Sequence, residues 1–156
     1  MNYIIIFCAK YLFLLIVILS GVVFWQLPKQ KKKEMIIFSI ISLPVIFLLS
    51  RVMAKLYFNP RPFVVENFLP LISHLPDNGF PSDHTLLSAA LSMLVYYFNK
   101  KMGWLLLEIS LIVGLARVAA GVHHLTDIFG SIIISFFVSV LVYQYIIKPR
   151  FSKNIN

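Results

Sequence analysis

The chain has 156 residues, of which 60% are hydrophobic, and its mean hydropathy is +0.87. An ordinary soluble domain does not carry that much apolar surface, so we predict a single integral-membrane domain over residues 1–156. The formal net charge of +8 does not indicate nucleic-acid binding, because no basic face is interleaved with stacking aromatic residues. The charge is typical of the lysine excess in cytoplasmic loops.

Five apolar segments predict an all-α bundle of about five transmembrane helices. In chain order they cover residues 11–27, with a start as early as Tyr3, then 35–58, 85–98, 104–120 and 128–147. Because a bilayer core takes about 20 residues of helix, the third and fourth segments are marginal. We expect them to gain length from flanking polar turns or to pack against other helices. The first segment lacks a small-residue cleavage site, which favours a retained helix over a signal peptide.

The basic residues predict the orientation of this bundle. Nine of the 14 lysines and arginines follow the first, third and fifth segments, in residues 28–34, 99–101 and 148–153. With five crossings these connections lie on one side, which we predict to be the cytoplasm, so the N-terminus lies outside. The connections 59–83 and 121–126 then share the outer side. The first of them is proline-rich and irregular, and its length of about 25 residues favours a functional loop.

Residues 81–84 predict an anion site at the start of the third segment. Pro81 cannot continue a preceding helix, and Ser82 or Asp83 is a suitable N-cap. The free backbone N–H groups of that first turn and the helix dipole attract phosphate, and the Ser82 hydroxyl adds a donor. The alternative is a plain capped helix start.

A second polar group surrounds the start of the fifth segment. His123 and Asp127 are four residues apart, so a carboxylate in the first helical turn can bind one ring nitrogen and leave the other as a nucleophile or base. Arg117 ends the fourth segment, where its planar guanidinium suits phosphate oxygens. The alternative for Arg117 is a side chain that snorkels to the lipid headgroups. For His124 we expect an exposed loop position.

Arg61 lies between Pro60 and Pro62, which stiffen its backbone and favour a pre-organised clamp. The alternative is a charged loop residue near the headgroups. Two arginines, two histidines, a serine and an aspartate on one face of a membrane protein together predict a site that handles phosphate.

These residues resemble the three motifs of the type 2 phosphatidic acid phosphatase superfamily, read here as Lys55…Arg61-Pro62, Pro81-Ser82-Asp83-His84 and Ala116-Arg117…His123…Asp127. Residues 58–130 look closest to the bacterial undecaprenyl-diphosphate phosphatases of the bacitracin-resistance type, which similarly show Pro-Arg-Pro-Phe and Phe-Pro-Ser-Asp-His-Thr. Three departures stand out. Asp83 replaces the family glycine, Ala116 replaces a serine, and Lys55 is one position closer to Arg61 than usual, since the usual position is Ala54.

The resemblance implies a two-step displacement at phosphorus, in which His123 is the nucleophile and forms a phosphohistidine. Asp127 orients His123, and His84 protonates the leaving group and then activates water. The resemblance requires no metal and no cofactor. The residues that it assigns to the phosphoryl oxygens are Arg61, Arg117, Ser82, Asp83 through the nearby amides, and Lys55, which Arg51 one turn earlier can assist.

The implied substrate is a membrane lipid diphosphate, hydrolysed to undecaprenyl phosphate and inorganic phosphate on the outer face of a bacterial cell membrane. The alternatives within the same fold are a phosphatase for phosphatidylglycerol phosphate, phosphatidate or lipid A, and a lipid phosphotransferase. A non-enzyme alternative is a small transporter or inactive scaffold, in which intramembrane charges such as Arg51 and Glu108 line a path. The proximity of Glu108 to Trp104 favours an interfacial position over such a path.

Overall fold

A computed structural model describes residues 2–152 of the chain. Its elements are α1 (Asn2–Gln26), α2 (Lys29–Leu56), α3 (Pro62–Val65), α4 (Asp83–Tyr96), α5 (Lys100–Ala119), α6 (Leu125–Val142), a π-helical turn (Tyr143–Ile147) and α7 (Lys148–Ser152). Within residues 2–152 there is no β-strand, and only an isolated bridge joins Pro60 to Asn78. The predicted all-α bundle is confirmed.

The chain is a multi-pass membrane protein. Among the described residues, 4 helical stretches are long and apolar enough to cross a bilayer, namely α1, α2, α5 and Leu125–Phe151. The helix α4 has 14 residues, fewer than the about 20 that a crossing takes. It packs against α1, α2, α5 and α6, and most of its residues are buried. The short third segment therefore sits among other helices, as its length predicted.

The lysines that we predicted to lie in connections between helices lie instead in helical turns. The helix α2 begins at Lys29, directly after Pro28, which cannot donate a hydrogen bond to α1. The helix α5 begins at Lys100, where the Asn99 side chain accepts a hydrogen bond from the Met102 N–H at 3.1 Å, as a favoured N-cap residue does. The helices thus extend beyond their apolar stretches. We call this end of the bundle the lysine end; Lys153 lies outside the described residues.

At the opposite end, which we call the site end, α2 and α5 terminate and α4 and α6 begin. Two hydrogen bonds hold α4 against α6. The Ser131 hydroxyl donates to the Ser82 carbonyl at 3.0 Å, and the Ser135 hydroxyl donates to the Leu86 carbonyl at 2.9 Å. Small polar residues of this kind let membrane helices approach closely. The start of α4 is thereby fixed beside the start of α6, and the two predicted polar groups meet.

Candidate active site

A cavity of about 270 Å³ lies at the site end between these helix starts. Both predicted histidines line it, together with three of the predicted phosphate-binding residues, which are Arg61, Asp83 and Arg117. The connections 59–83 and 121–126 therefore converge on one space, although they are far apart in the sequence.

His123 is held by Asp127 in the way that their spacing predicted. The His123 Nδ1 atom lies 3.2 Å from Asp127 Oδ2, and both side chains are buried. The same oxygen accepts the backbone N–H of His124 at 2.9 Å, and Asp127 Oδ1 accepts the amide N–H of Asn59 at 2.7 Å. A carboxylate fixed by two other donors keeps Nδ1 protonated, so the unshared electron pair of His123 is on Nε2.

Arg61 lies against this free nitrogen. Its Nη1 atom is 3.2 Å from His123 Nε2 and donates to the Val122 carbonyl at 2.8 Å. Its Nε atom donates to Asp77 Oδ1 at 2.7 Å. Arg61 is only 4% exposed, so it is a guanidinium fixed next to the predicted nucleophile and not a mobile contact with headgroups.

Arg117 brings a second buried positive charge to the cavity. It occupies the last turn of α5 and is 3% exposed, which does not fit a snorkelling side chain. Its Nη1 atom donates to the Ala9 carbonyl at 3.2 Å, while its Nε atom is buried without a hydrogen-bond partner in residues 2–152. No carboxylate of the described chain forms an ion pair with it. A buried charge left in this state is costly, which favours an anion as its partner.

The start of α4 departs from the prediction in part. Ser82 is the N-cap residue, as predicted, but its side chain makes no capping hydrogen bond and is not among the residues that line the cavity. Its hydroxyl oxygen is buried and accepts the Thr85 hydroxyl at 3.2 Å. Asp83 lines the cavity, and its carboxylate forms an ion pair with Arg51. The negative charge at the family's glycine position is thus compensated within the chain.

Lys55 is exposed on α2 and is not brought to the cavity. Ala54 lines the cavity instead, at the position where the family resemblance expects a lysine, but it carries no charge. Arg51 lies three residues before Ala54, on the same helix face, and it also lines the cavity. The structure therefore brings Arg51, and not Lys55, from α2 to the site.

Sequence reasoning missed the residues of the long connection that fix the site. The Asn78 side chain donates to the Ala54 carbonyl at 2.8 Å and accepts the backbone N–H of Asn59 at 2.9 Å. A Cβ atom on Gly79 would lie 2.9 Å from Asp127 Oδ2. An Asn-Gly pair is a turn signal, but it does not reveal a contact with a residue almost fifty positions away.

Two histidines near His123 also differ from expectation. His74 had no predicted role, yet it lines the cavity and its ring centroid lies 6.2 Å from that of His123. His124, expected to be exposed, is half-buried, with its Nε2 atom 3.1 Å from the Pro60 carbonyl oxygen. This contact links the two predicted motifs outside the cavity.

Within residues 2–152, no group of three or more His, Cys, Asp or Glu side chains is placed to hold a metal ion.

The electrostatics of the site favour a neutral His123 ring. Burial lowers the pKa of His123, and the nearby charges of Arg117 and Arg61 lower it further, although the hydrogen bond to Asp127 opposes the shift. The pKa of His74 is lowered by burial and by the same two arginines. Burial raises the pKa of Asp77, but the hydrogen bond and charge of Arg61 outweigh it, so that the net shift is downward. Near neutral pH the His123 and His74 imidazoles are therefore uncharged.

Fold and cavity together define a class of helical integral-membrane proteins that carry a cavity lined by histidines and arginines between helix ends. A sequence model of the PAP2 superfamily matches residues 34–150, and the chain belongs to that superfamily. The resemblance inferred from the three motifs is confirmed.

Two bacterial proteins are similar to most of this chain in sequence. The chain is 36% identical over 129 residues to the bacitracin transport permease protein BcrC of Bacillus licheniformis. It is 29% identical over 121 residues to the undecaprenyl-diphosphatase BcrC of Bacillus subtilis (strain 168). These alignments cover 82% and 78% of the chain but 63% of each relative, so the chain spans less than two thirds of their length.

A solved structure supports the fold. The crystal structure of a transmembrane PAP2-type phosphatidylglycerolphosphate phosphatase from Bacillus subtilis superposes with a TM-score of 0.60 at 23% identity. The superposition covers 99% of this chain and 78% of the other. At that level of identity the similarity concerns the arrangement of the helices.

Proposed function

We propose that the protein is a membrane lipid phosphatase that hydrolyses undecaprenyl diphosphate to undecaprenyl phosphate and inorganic phosphate. The observation that carries this proposal is the pair His123 and His84 facing one cavity, with His123 fixed by Asp127 and flanked by Arg61. Membership of the PAP2 superfamily and the name of the Bacillus subtilis relative support the choice of reaction and substrate.

The first step is attack by His123 Nε2 on the terminal phosphorus. A nitrogen–phosphorus bond forms as the bond from phosphorus to the bridging oxygen breaks, and His84 gives a proton to the departing lipid phosphate. Asp127 stabilises the imidazole ring as it becomes positive. Arg61 and Arg117 bind the oxygens on which negative charge builds up, which is the arrangement that lowers barriers to phosphoryl transfer.

The second step is hydrolysis of the phosphohistidine. His84, now neutral, takes a proton from water, the water oxygen bonds to phosphorus, and the nitrogen–phosphorus bond breaks. Inorganic phosphate leaves and His123 is restored. The amides of the first turn of α4 complete the proposed anion site. Ser82, whose hydroxyl is buried against Thr85, and Lys55, which is exposed outside the cavity, do not belong to it.

We place the site end on the outer face of a bacterial cell membrane. The support is the position of the described basic residues, since Lys29–Lys33, Lys100, Lys101, Lys148 and Arg150 belong to helix starts and ends opposite the cavity. Clusters of lysine and arginine favour the cytoplasmic side. Attachment of a membrane-impermeant reagent to a cysteine introduced near residue 75 in intact cells tests this orientation.

Phosphate release from undecaprenyl diphosphate by the full chain in lipid nanodiscs, with His123→Ala as the comparison, tests the reaction. We expect His123→Ala to lower kcat by on the order of 10³-fold or more and to abolish a phosphoenzyme labelled from the terminal phosphate. His124→Gln, on the adjacent histidine, is expected to retain the phosphoenzyme. A chelator should leave the rate unchanged, because the proposed steps use side chains alone.

The alternatives give different results in the same assay. Another lipid phosphatase would prefer phosphatidylglycerol phosphate, phosphatidate or lipid A in direct competition. A phosphotransferase would release little free phosphate when an acceptor lipid is present. A transporter, the activity in the name of the Bacillus licheniformis relative, would release none, and that outcome would reject the proposal.

A further inference from the structure

An apolar groove of about 380 Å³ lies between α2 and α4, next to the phosphate cavity. Its lining includes Leu43 and Phe47 from α2 and Leu87 and Ala90 from α4. The one charged residue in its lining is Asp83, which lines the phosphate cavity as well. The groove and the cavity therefore meet at the start of α4.

Arg51 occupies this junction. It lines the phosphate cavity, and its guanidinium forms an ion pair with Asp83. Its Cζ atom lies 4.7 Å from the centre of the Phe47 ring, which belongs to the groove. The side chains of Arg51 and Asp83 are 45% and 63% exposed, so both remain accessible to a ligand that lies across the junction.

A lipid diphosphate has its parts in the order that this geometry requires. Its terminal phosphorus is the atom that His123 attacks, its second phosphate follows, and its hydrocarbon chain comes last. With the terminal phosphoryl group at His123 and the chain in the apolar groove, the second phosphate falls at the junction beside Arg51. A guanidinium has five N–H donors, so Arg51 can keep its ion pair with Asp83 and still bind phosphate oxygens.

We propose that Arg51, oriented by Asp83, binds the phosphate that stays on the lipid, and that the groove between α2 and α4 holds the lipid chain. This inference rests on the proposed phosphatase function and adds the basis for choosing a diphosphate over a monophosphate. A lipid monophosphate with the same chain has no second phosphate for Arg51 to bind. The competing explanation is an ordinary surface ion pair, which has little effect on its own.

Arg51→Gln tests the inference through the ratio of kcat/KM for farnesyl diphosphate to that for farnesyl phosphate. A hydrogen-bonded charge contact predicts a loss of about ten- to a hundredfold on the diphosphate and about threefold or less on the monophosphate. Arg51→Lys should recover part of the loss, because it keeps the charge without the planar fork. Arg150→Gln at the lysine end is the matched control and should change neither rate.

Different results would reject the phosphatase function and the proposed role of Arg51. A wild-type chain that releases no phosphate from undecaprenyl diphosphate or from either farnesyl substrate rejects the phosphatase function, and the inference with it. A wild-type chain that is active, with Arg51→Gln equally impaired on both substrates or impaired on neither, rejects the role of Arg51 alone.

Leu87→Trp tests the groove, with Leu111→Trp on α5 as its matched control. The two leucines are 40% and 38% exposed, but only Leu87 lines the groove. We expect Leu87→Trp to raise KM for undecaprenyl diphosphate by about tenfold, because the indole ring would occupy the space of the lipid chain, and to leave KM for isopentenyl diphosphate unchanged. Leu111→Trp should change neither KM.

If Leu87→Trp does not fold, Leu43→Trp on the facing helix gives the same test. Equal effects on both substrates would reject the groove as the site of the lipid chain.

Discussion

The two walls of the cavity are held in very different ways. On one wall, His123, Asp127 and Arg61 are all at most 4% exposed and are tied to the backbone and to one another. On the other wall, His84 is half-buried with its ring against Phe13, 5.0 Å between ring centroids. Under the proposed function the first wall is pre-organised for attack on phosphorus, while the second wall is more exposed and leaves room for the lipid. Substitutions on the two walls should therefore reduce activity in different ways.

Asp127→Asn should give the largest loss in this comparison. The asparagine amide keeps the shape of the side chain but allows the wrong His123 tautomer, with the proton on the attacking nitrogen. We expect the rate of phosphoenzyme formation to fall by on the order of 10³–10⁴-fold, as measured by rapid quench. Glu108→Gln, the same chemical change at an exposed position of α5, should leave the rate intact. A loss of less than about tenfold would show that the rigid wall does not depend on this carboxylate.

His84→Gln should cause a smaller loss with a different signature. The lipid phosphate is a weakly basic leaving group and needs little help from an acid, whereas water needs a base in the second step. We expect turnover to fall by about 10²-fold and the phosphoenzyme to accumulate in the steady state. A loss confined to formation of the phosphoenzyme would contradict the assignment of water activation to His84.

Gly79→Ala perturbs the rigid wall by a single methyl group. The added Cβ would lie 2.9 Å from Asp127 Oδ2 and 3.2 Å from the Asn59 carbonyl oxygen, so the carboxylate has to shift. A displaced catalytic group predicts a loss of about ten- to a hundredfold in kcat. Gly21→Ala is the matched control, because nothing lies within 4 Å of its added Cβ. Equal rates for the two variants would mean that the wall tolerates movement.

The pH dependence of phosphoenzyme formation should show the smallest effect. Attack needs neutral His123, and its pKa is lowered by burial and by the charges of Arg117 and Arg61. The neutral form therefore persists below the ordinary histidine pKa of about 6.5, and the rate should decline only at lower pH. Asp127→Asn removes the bond that raises this pKa and should move the decline further down. Single-turnover rates measured across a range of pH test this prediction. A decline centred above about 6.5 would contradict the predicted lowering of the His123 pKa.

The sequence was sufficient for the helices and for the pairing of His123 with Asp127. Apolar segments long enough to cross a bilayer leave few options for fold, and the four-residue spacing of His123 and Asp127 predicts their contact once α6 begins nearby. The capping position of Asp127 in the first turn of α6 follows from the same local rule. These features depend on residues that are close in the chain.

The open wall was predicted less well, because its contacts depend on the rotation and depth of whole helices. A shift of one residue turns a side chain by about 100°, which is why Lys55 points away while Ala54 and Arg51 reach the cavity. The Ser82 hydroxyl bonds to Thr85 one turn later in the same helix, but its burial depends on the helices that pack around α4. On the rigid wall, too, the bond between Asn59 and Asp127 joins residues 68 positions apart, and no local pattern indicates it.

The serine contacts between α4 and α6 also bear on how a bulky lipid is admitted. Sliding α4 along its axis would break the bonds from Ser131 to Ser82 and from Ser135 to Leu86 together, so these bonds oppose sliding of the two helices past each other. The helix α2 borders α4 through the accessible ion pair of Arg51 with Asp83 and through an apolar groove. Helix α2 contains Pro44, where a helix lacks one backbone hydrogen bond and can bend. We therefore expect substrate uptake to move α2 and to preserve the spacing between the proposed catalytic residues His84 and His123.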